Sequence, residues 1–177
     1  MLLLDNTLQV ESQKRFAVDF ATVSTPETLV QLALTAAQSA GEGMRDVLAQ
    51  GVPARAFRGA MLLTLLSYCY ARGVYGSRDI ELFSQQDRQA LYICSNNVPD
   101  WNVIRRFRRA HARTVQRCLG EMVANITTGR TGDSIETNRT YALASFNRWS
   151  DPRNEAFLEA GRRVANAVKV DSMAMDE

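Results

Sequence analysis

The sequence predicts an all-α fold, a compact multi-helix domain, and three observations support this class. Apolar residues recur at spacings of three and four along several segments, which is the period of an amphipathic helix. Capping residues, prolines and glycines stand at the ends of these segments, where helices begin and end. No run of buried strands indicates a parallel sheet, and hydrophobic residues make up 46% of the chain, enough for a substantial core.

The chain of 177 residues suits one domain with small appendages. We expect an N-terminal arm over residues 1–23, in which apolar and polar residues alternate weakly, as in a strand or an extended segment. The helical domain covers residues 24–128, and residues 129–177 form a C-terminal helical extension that begins its last helix at Asp151 and Pro152.

Three helix starts carry clear capping signals. Ser24 or Thr25 precedes Pro26, and proline at the first helical position loses no hydrogen bond. Ser77 and Asp87 are the predicted caps of two short helices that follow.

A nearly all-apolar helix from Pro53 to Arg72 is predicted to be the most buried one. Gly73 ends it, because glycine adopts left-handed backbone geometry at little cost. The short helix predicted before it carries apolar residues and ends in a glycine: Met44, Val47, Leu48 and Gly51.

The segment from Asp100 to Arg117 is a strongly basic amphipathic helix with Asp100 as its cap. It holds six arginines and one acidic residue, so it carries +5 within a chain whose net charge is +2. Its packing face is Val103, Ile104, Phe107, Ala110, Val115, Cys118 and Leu119. Its polar face is Asn102, Arg105, Arg106, Arg109, Arg113 and Gln116. Such a local charge block in a near-neutral protein indicates a binding site for a polyanion.

Catalysis finds little support in the sequence, and we expect no enzyme activity, no catalytic residue, no metal and no cofactor. The chain has no nucleophile elbow, dinucleotide-binding or Walker motif. His111 is the only histidine, and the three cysteines form no CxxC pair, so a zinc site lacks ligands. We interpret the cysteines as small buried residues of a protein in a reducing cytoplasm. The longest apolar stretch is too short for a membrane span, so no membrane partner is expected.

Double-stranded DNA is the polyanion that fits the pattern best. The basic helix follows a short helix and a loop, as the second helix of a helix-turn-helix does. Asn102 and Arg105 or Arg106 are then the expected readers of base edges, because asparagine pairs with adenine and arginine with guanine. Expected phosphate contacts are Arg109, Arg113 and Arg117. A solvated charged face and an acidic protein partner remain the alternatives.

Two sequence blocks carry a family resemblance: MLLTLLSYCYARGVYGSRDIE, residues 61–81, and VPDWNVIRRFRRAH, residues 98–111. Together they resemble the N-terminal domain of bacterial insertion-sequence transposases of the DDE type, the InsH-like group. The pattern is a leucine-rich helix that ends in tyrosines, then Ser-Arg-x-Ile-Glu, then Pro-Asp-x-x-x-Ile-x-Arg-Phe-Arg-x-x-His. It covers about a third of the chain strictly and about two thirds with looser similarity.

The resemblance implies an all-helical domain that recognises transposon-end DNA, and it adds Arg78 and Arg108 to the candidate DNA contacts. Arg78 contacts a phosphate or pairs with Glu81. Trp101 stands where the family commonly has a histidine or another polar residue, and it is either a wedge or stacking residue on DNA or a residue that packs against the preceding short helix. The catalytic domain that follows in the family is not evident after residue 129.

We therefore expect a non-catalytic DNA-binding regulator of transcription or transposition, derived from a mobile element, in the bacterial cytoplasm and associated with the nucleoid. A homodimer is plausible, because palindromic sites are usual for such modules. One alternative is an inhibitor that pairs with a full-length transposase through apolar surfaces after Gly129. The other is a helical assembly protein with an acidic partner.

Overall fold

A computed structural model describes residues 20, 24–41, 47–48, 56–128 and 151–174. Within these ranges the architecture is all-α, as predicted. The helices are α1 Pro26–Ala40, α2 Gly59–Ala71, α3 Ser77–Gln86, α4 Arg88–Ile93, α5 Trp101–Thr128 and α6 Pro152–Met173. Two-residue strands, β1 Val47–Leu48 and β2 Ala56–Phe57, pair antiparallel between α1 and α2, with Val47 opposite Phe57.

Helix α1 begins as its sequence predicts. The hydroxyl of Thr25 accepts a hydrogen bond from the backbone N–H of Thr28 at 3.2 Å, and Pro26 occupies the first turn. One face of the helix, with Leu29, Val30 and a row of alanines, is buried against α2 and α5.

Helix α2 lies at the centre of the core and is buried nearly all round, as its apolar sequence predicts. It ends at a Schellman motif around Gly73, whose φ is 77°. The N–H of Val74 reaches the carbonyl of Cys69 at 2.9 Å, and the N–H of Gly73 reaches the carbonyl of Tyr70 at 3.2 Å. The predicted stop at Gly73 is therefore confirmed.

The start of α2 and the segment before it were predicted wrongly. Helix α2 begins at Gly59, and the preceding residues 56–57 are extended. Val47 and Leu48, which were assigned to a short helix, form strand β1 instead. β-Branched and aromatic residues such as Val47 and Phe57 suit an extended ladder, and helix propensity over a few residues is too weak to oppose this pairing. Met44, Gly51 and Pro53 lie outside the described residues.

Of the two predicted caps, Asp87 is confirmed and Ser77 is not. The Oδ1 atom of Asp87 accepts from the N–H groups of Gln89 and Ala90 at 3.0 and 2.9 Å. The cap of α3 is Gly76, and Ser77 is the first helical residue, with its side chain turned to a partner on α6.

Helices α5 and α6 form a long antiparallel pair. Asp100 caps α5 through bonds of 2.9 Å to the N–H groups of Asn102 and Val103, and Asp151 caps α6, both as predicted. Gly120 on α5 faces Phe157, and further along Gln116 faces Gly161. Residues 129–150, with the predicted segment that begins at Ser134, lie outside the described residues, as does the N-terminal arm except for Phe20.

Candidate nucleic-acid interface

The outer face of α5 carries the basic surface that the sequence predicts. Arg109, Arg113 and Arg117 are exposed, whereas Asn102 and the pair Arg105 and Arg106 are half-buried. Residues four apart in a helix share a face, so the exposed arginines follow one another along one stripe. We call Arg105, Arg109, Arg113 and Arg117 the arginine stripe.

The stripe is not straight, because α5 changes direction at His111. This residue has φ −125° and ψ 26°, outside the helical region, so the arginines of the stripe on either side of it lie on two helical segments. The His111 ring packs on Phe107, with ring centroids 4.8 Å apart. At the far end of the stripe, Arg117 donates to the carbonyl of Ala40 at 2.8 Å and so caps the end of α1.

Arg108 is a core residue, and its prediction as a DNA contact is incompatible with the structure. Its side chain is 1% exposed and forms an ion pair with Asp171 of α6. The guanidinium also donates to the hydroxyl of Tyr70 and to the carbonyl of Tyr75, both at 3.3 Å. Position 108 is four residues after Ile104, on the packing face, so helical spacing alone could have identified it as buried.

Asp171 joins three helices. One carboxylate oxygen accepts from the backbone N–H of Ser77 at 2.8 Å and the other from the Ser77 hydroxyl at 2.7 Å, while Arg108 supplies the compensating charge. We call Arg108, Asp171 and Ser77 the buried latch. A carboxylate at a helix N-terminus is favourable because the first N–H groups lack partners within the helix. Burial raises the pKa of the adjacent Tyr70 hydroxyl to about 12, although Arg108 opposes this shift.

A second buried arginine, Arg163 of α6, was not foreseen from the sequence. Its side chain is 0% exposed, and its Nη1 donates to the carbonyls of Tyr70 and Ala71 at 2.7 and 3.5 Å. Glu159, one turn earlier, accepts from its Nε at 2.8 Å. Arg163 thus adds a side-chain donor to the carbonyl groups at the C-terminus of α2, where the Tyr70 carbonyl also accepts from the N–H of Gly73. An acidic residue four positions earlier is the only sequence signal for this role.

Arg78 and Trp101 meet at the start of α5. The guanidinium of Arg78 lies over the indole of Trp101, 5.2 Å from the ring centroid. Glu81 does not pair with Arg78; its carboxylate accepts from the backbone N–H of Trp101 at 3.1 Å. In this structure Trp101 therefore contacts α3, and not the preceding short helix α4 against which it was expected to pack, while Arg78 stays exposed.

The cysteines are free and buried, as predicted: Cys69, Cys94 and Cys118. Burial raises the pKa of the Cys94 thiol to about 12 and that of Cys118 to about 11, so both stay protonated near neutral pH. Within the part of the chain that the structure describes, no cluster of three or more His, Cys, Asp or Glu side chains could hold a metal ion.

The helix-turn-helix interpretation stays a prediction. Helix α4 has six residues, and residues 94–100 separate it from α5. Helix-turn-helix motifs usually join their two helices by about three or four residues, so this connection is longer than the usual turn.

Comparison with known proteins finds no matching family model, no matching curated protein and no matching solved structure. None of the described helices combines the length and apolar character needed to cross a membrane.

Proposed function

We propose that this chain is a non-catalytic double-stranded DNA-binding protein, related to the N-terminal domains of insertion-sequence transposases, that regulates transcription or transposition. The observation that carries this proposal is the arginine stripe. Between residues 101 and 120 the sequence has six arginines and no acidic residue, and the structure leaves the stripe's Arg109, Arg113 and Arg117 exposed.

The proposed DNA contacts fall into two groups, according to how exposed each side chain is. Arg109 and Arg113 point outward on successive turns, which suits contacts to phosphates along one strand. Asn102 and Arg106 lie nearer the start of α5 and are the candidates for contacts with base edges. Arg108 has no part in the interface, because Asp171 already neutralises it inside the core.

The test is the salt dependence of binding to a duplex of random sequence. If about four phosphates are neutralised, log Kd changes with log salt with a slope of about 3.6, so raising salt fourfold weakens binding roughly 150-fold. Replacing Arg109 and Arg113 together by Gln removes two contacts, and the expected slope falls by about 1.8.

Arg88→Gln is the matched control, because Arg88 is an equally exposed arginine on α4, away from the stripe. We expect its slope to equal that of the wild type. Unchanged duplex affinity in the Arg109→Gln/Arg113→Gln variant, measured by fluorescence anisotropy, refutes the DNA proposal.

The transposase-inhibitor alternative draws on exposed apolar side chains of α6. Leu158, Val168 and Met173 are 48%, 42% and 63% exposed, but they are spread over the whole helix, and scattered exposed apolar residues are normal on protein surfaces. An inhibitor would co-purify with a full-length transposase and would do so equally well after loss of Arg109 and Arg113. A helical assembly protein with an acidic partner would instead form large oligomers, which light scattering detects.

Homodimerisation follows from the same proposal if the DNA site is palindromic. Selection of bound sequences from a random library, combined with the molecular mass in solution, tests it. A palindromic motif with a dimeric mass supports a homodimer, and a single half-site with a monomeric mass contradicts one.

A further inference from the structure

A small cleft lies at one end of the arginine stripe. It is bounded by the first turn of α3, the start of α5 and the end of α6, and its volume is about 120 Å³. Trp101, Val170 and Ala174 supply its apolar wall, and the charged residues that line it are Arg78, Arg105, Asp79 and Asp171.

The backbone at the start of α3 is not the binding element. The N–H and hydroxyl of Ser77 are both bonded to Asp171, and Asp171 is in turn neutralised by Arg108. Recognition therefore falls on side chains, above all on Arg78 and Trp101. Among the described residues no carboxylate lies within ion-pair distance of Arg78, and the indole holds its guanidinium at the cleft.

The start of α5 is held in place from two sides, which keeps the indole in position. Glu81 accepts from the backbone N–H of Trp101 at 3.1 Å, and Asp100 accepts from the next N–H at 2.9 Å. The guanidinium of Arg78 lies over one face of this ring, so a base would stack on the opposite face. A fixed aromatic ring with a neighbouring cation is the combination that proteins use to bind an unstacked nucleotide, since the ring stacks on a base and the cation attracts its phosphate.

We infer that this cleft binds a single unpaired nucleotide at the end of a DNA duplex; the inference rests on the proposed DNA-binding function. The cleft is partly open, and its volume of about 120 Å³ is below the roughly 150 Å³ of an apolar cavity that holds a benzene molecule, so it takes at most one pyrimidine ring, partly inserted. Continuity with the stripe favours this ligand. Arg105 lines the cleft and Arg109 lies one turn, about 6 Å, further along α5, so a strand that follows the stripe reaches the cleft.

The experiment compares three duplexes of identical sequence: blunt, with one unpaired terminal thymidine, and with one abasic terminal nucleotide. All proteins carry Trp149→Phe, which leaves Trp101 as the sole tryptophan. We expect the unpaired thymidine to tighten binding about tenfold, within the range for one stacked base, and to quench Trp101 fluorescence. The abasic nucleotide is expected to give neither effect.

Two variants test the assigned side chains, and circular dichroism confirms their folding. In Arg78→Gln and in Trp101→Leu, the duplex with the unpaired thymidine is expected to bind about as tightly as the blunt duplex. The Arg88→Gln control is expected to keep the tenfold difference. Arg78 is exposed, so Arg78→Gln tests the inference even if Trp101→Leu fails to fold.

Two outcomes overturn the inference. The first is equal affinity for the blunt and thymidine-bearing duplexes in the parent protein, and the second is an abasic end that binds as tightly as thymidine. Failure of the proposed function gives a different result, because the blunt duplex then does not bind at all. The effect of an unpaired thymidine on Trp101 fluorescence is measured separately from that affinity.

Discussion

The buried latch allows a quantitative test of how α6 is held to the rest of the fold. Asp171→Ala removes the charge that compensates Arg108, which is 1% exposed, and deprives the Ser77 N–H and hydroxyl of their acceptor. Removing one partner of a buried ion pair costs about 3–5 kcal/mol, because it leaves the other charge buried and uncompensated. For a chain of this size each kcal/mol corresponds to roughly 2–4 °C, so Tm should fall by about 6–20 °C.

Urea unfolding followed by far-UV circular dichroism measures the free energy of unfolding. Arg108→Met is expected to lower the free energy of unfolding by a similar amount, since it leaves the Asp171 carboxylate buried without its counter-charge. The double variant Asp171→Ala/Arg108→Met should cost less than the sum of the two, because neither charge is left alone. Arg153→Ala is the control: it breaks an exposed pair with Glu121 and should cost no more than about 1 kcal/mol. Additive single costs, or an Asp171→Ala cost no larger than the control, would refute the latch.

Four further outcomes follow from close packing, backbone geometry and, for the last two, burial. Gly120→Ala should lower the free energy of unfolding by roughly 1–3 kcal/mol in urea unfolding, because the new Cβ would lie 2.6 Å from the Phe157 ring; wild-type stability would contradict this. Gly73→Ala should cost about 1 kcal/mol by the same measurement for a different reason, since its φ of 77° is strained for alanine although no atom lies within 4 Å of the new Cβ; a stabilised variant would count against the Schellman ending. Ellman's reagent should label Cys94 and Cys118 slowly in the native protein at pH 8 and fully in urea. Since burial raises both thiol pKa values, to about 12 and about 11, the folded state binds more protons than the unfolded state above about pH 9, and stability should decline as pH rises from there; constant stability up to pH 11 would be inconsistent with this.

Helix positions could be predicted wherever a strong local signal coincided with a long apolar period. Asp100 and Asp151 cap the helices that their sequences indicate, and Gly73 ends α2. These capping and termination signals involve residues within about one helical turn of each other, so the local sequence is enough to identify them. The strand pair at Val47 and Phe57 could not be foreseen, because it depends on contact between segments about ten residues apart.

The position of the candidate site on α5 was predicted from the sequence, but the number of arginines on its surface was overestimated. The polar face of α5 is real, yet a count of arginines overstates the surface charge, because Arg108 is turned into the core. Its partner Asp171 is 63 residues away in sequence, and nothing local marks it. The same holds for Arg163, whose acceptors are carbonyl groups at the end of α2. Tertiary ion pairs of this kind become visible only when the helices are packed.

The antiparallel pairing of α5 and α6 also determines how the protein would respond to mechanical force. Ala174, at the end of the described chain, borders the same cleft as Trp101, at the start of α5. A pull on the C-terminal end of α6 therefore loads the pair Arg108–Asp171 first and then peels the helix away, one turn after another, towards Phe157. Peeling breaks contacts in sequence, whereas sliding two helices along each other breaks them together. The end of α6 should thus yield one turn at a time, and the buried ion pair of Arg108 with Asp171 lies close to the point where the force is applied.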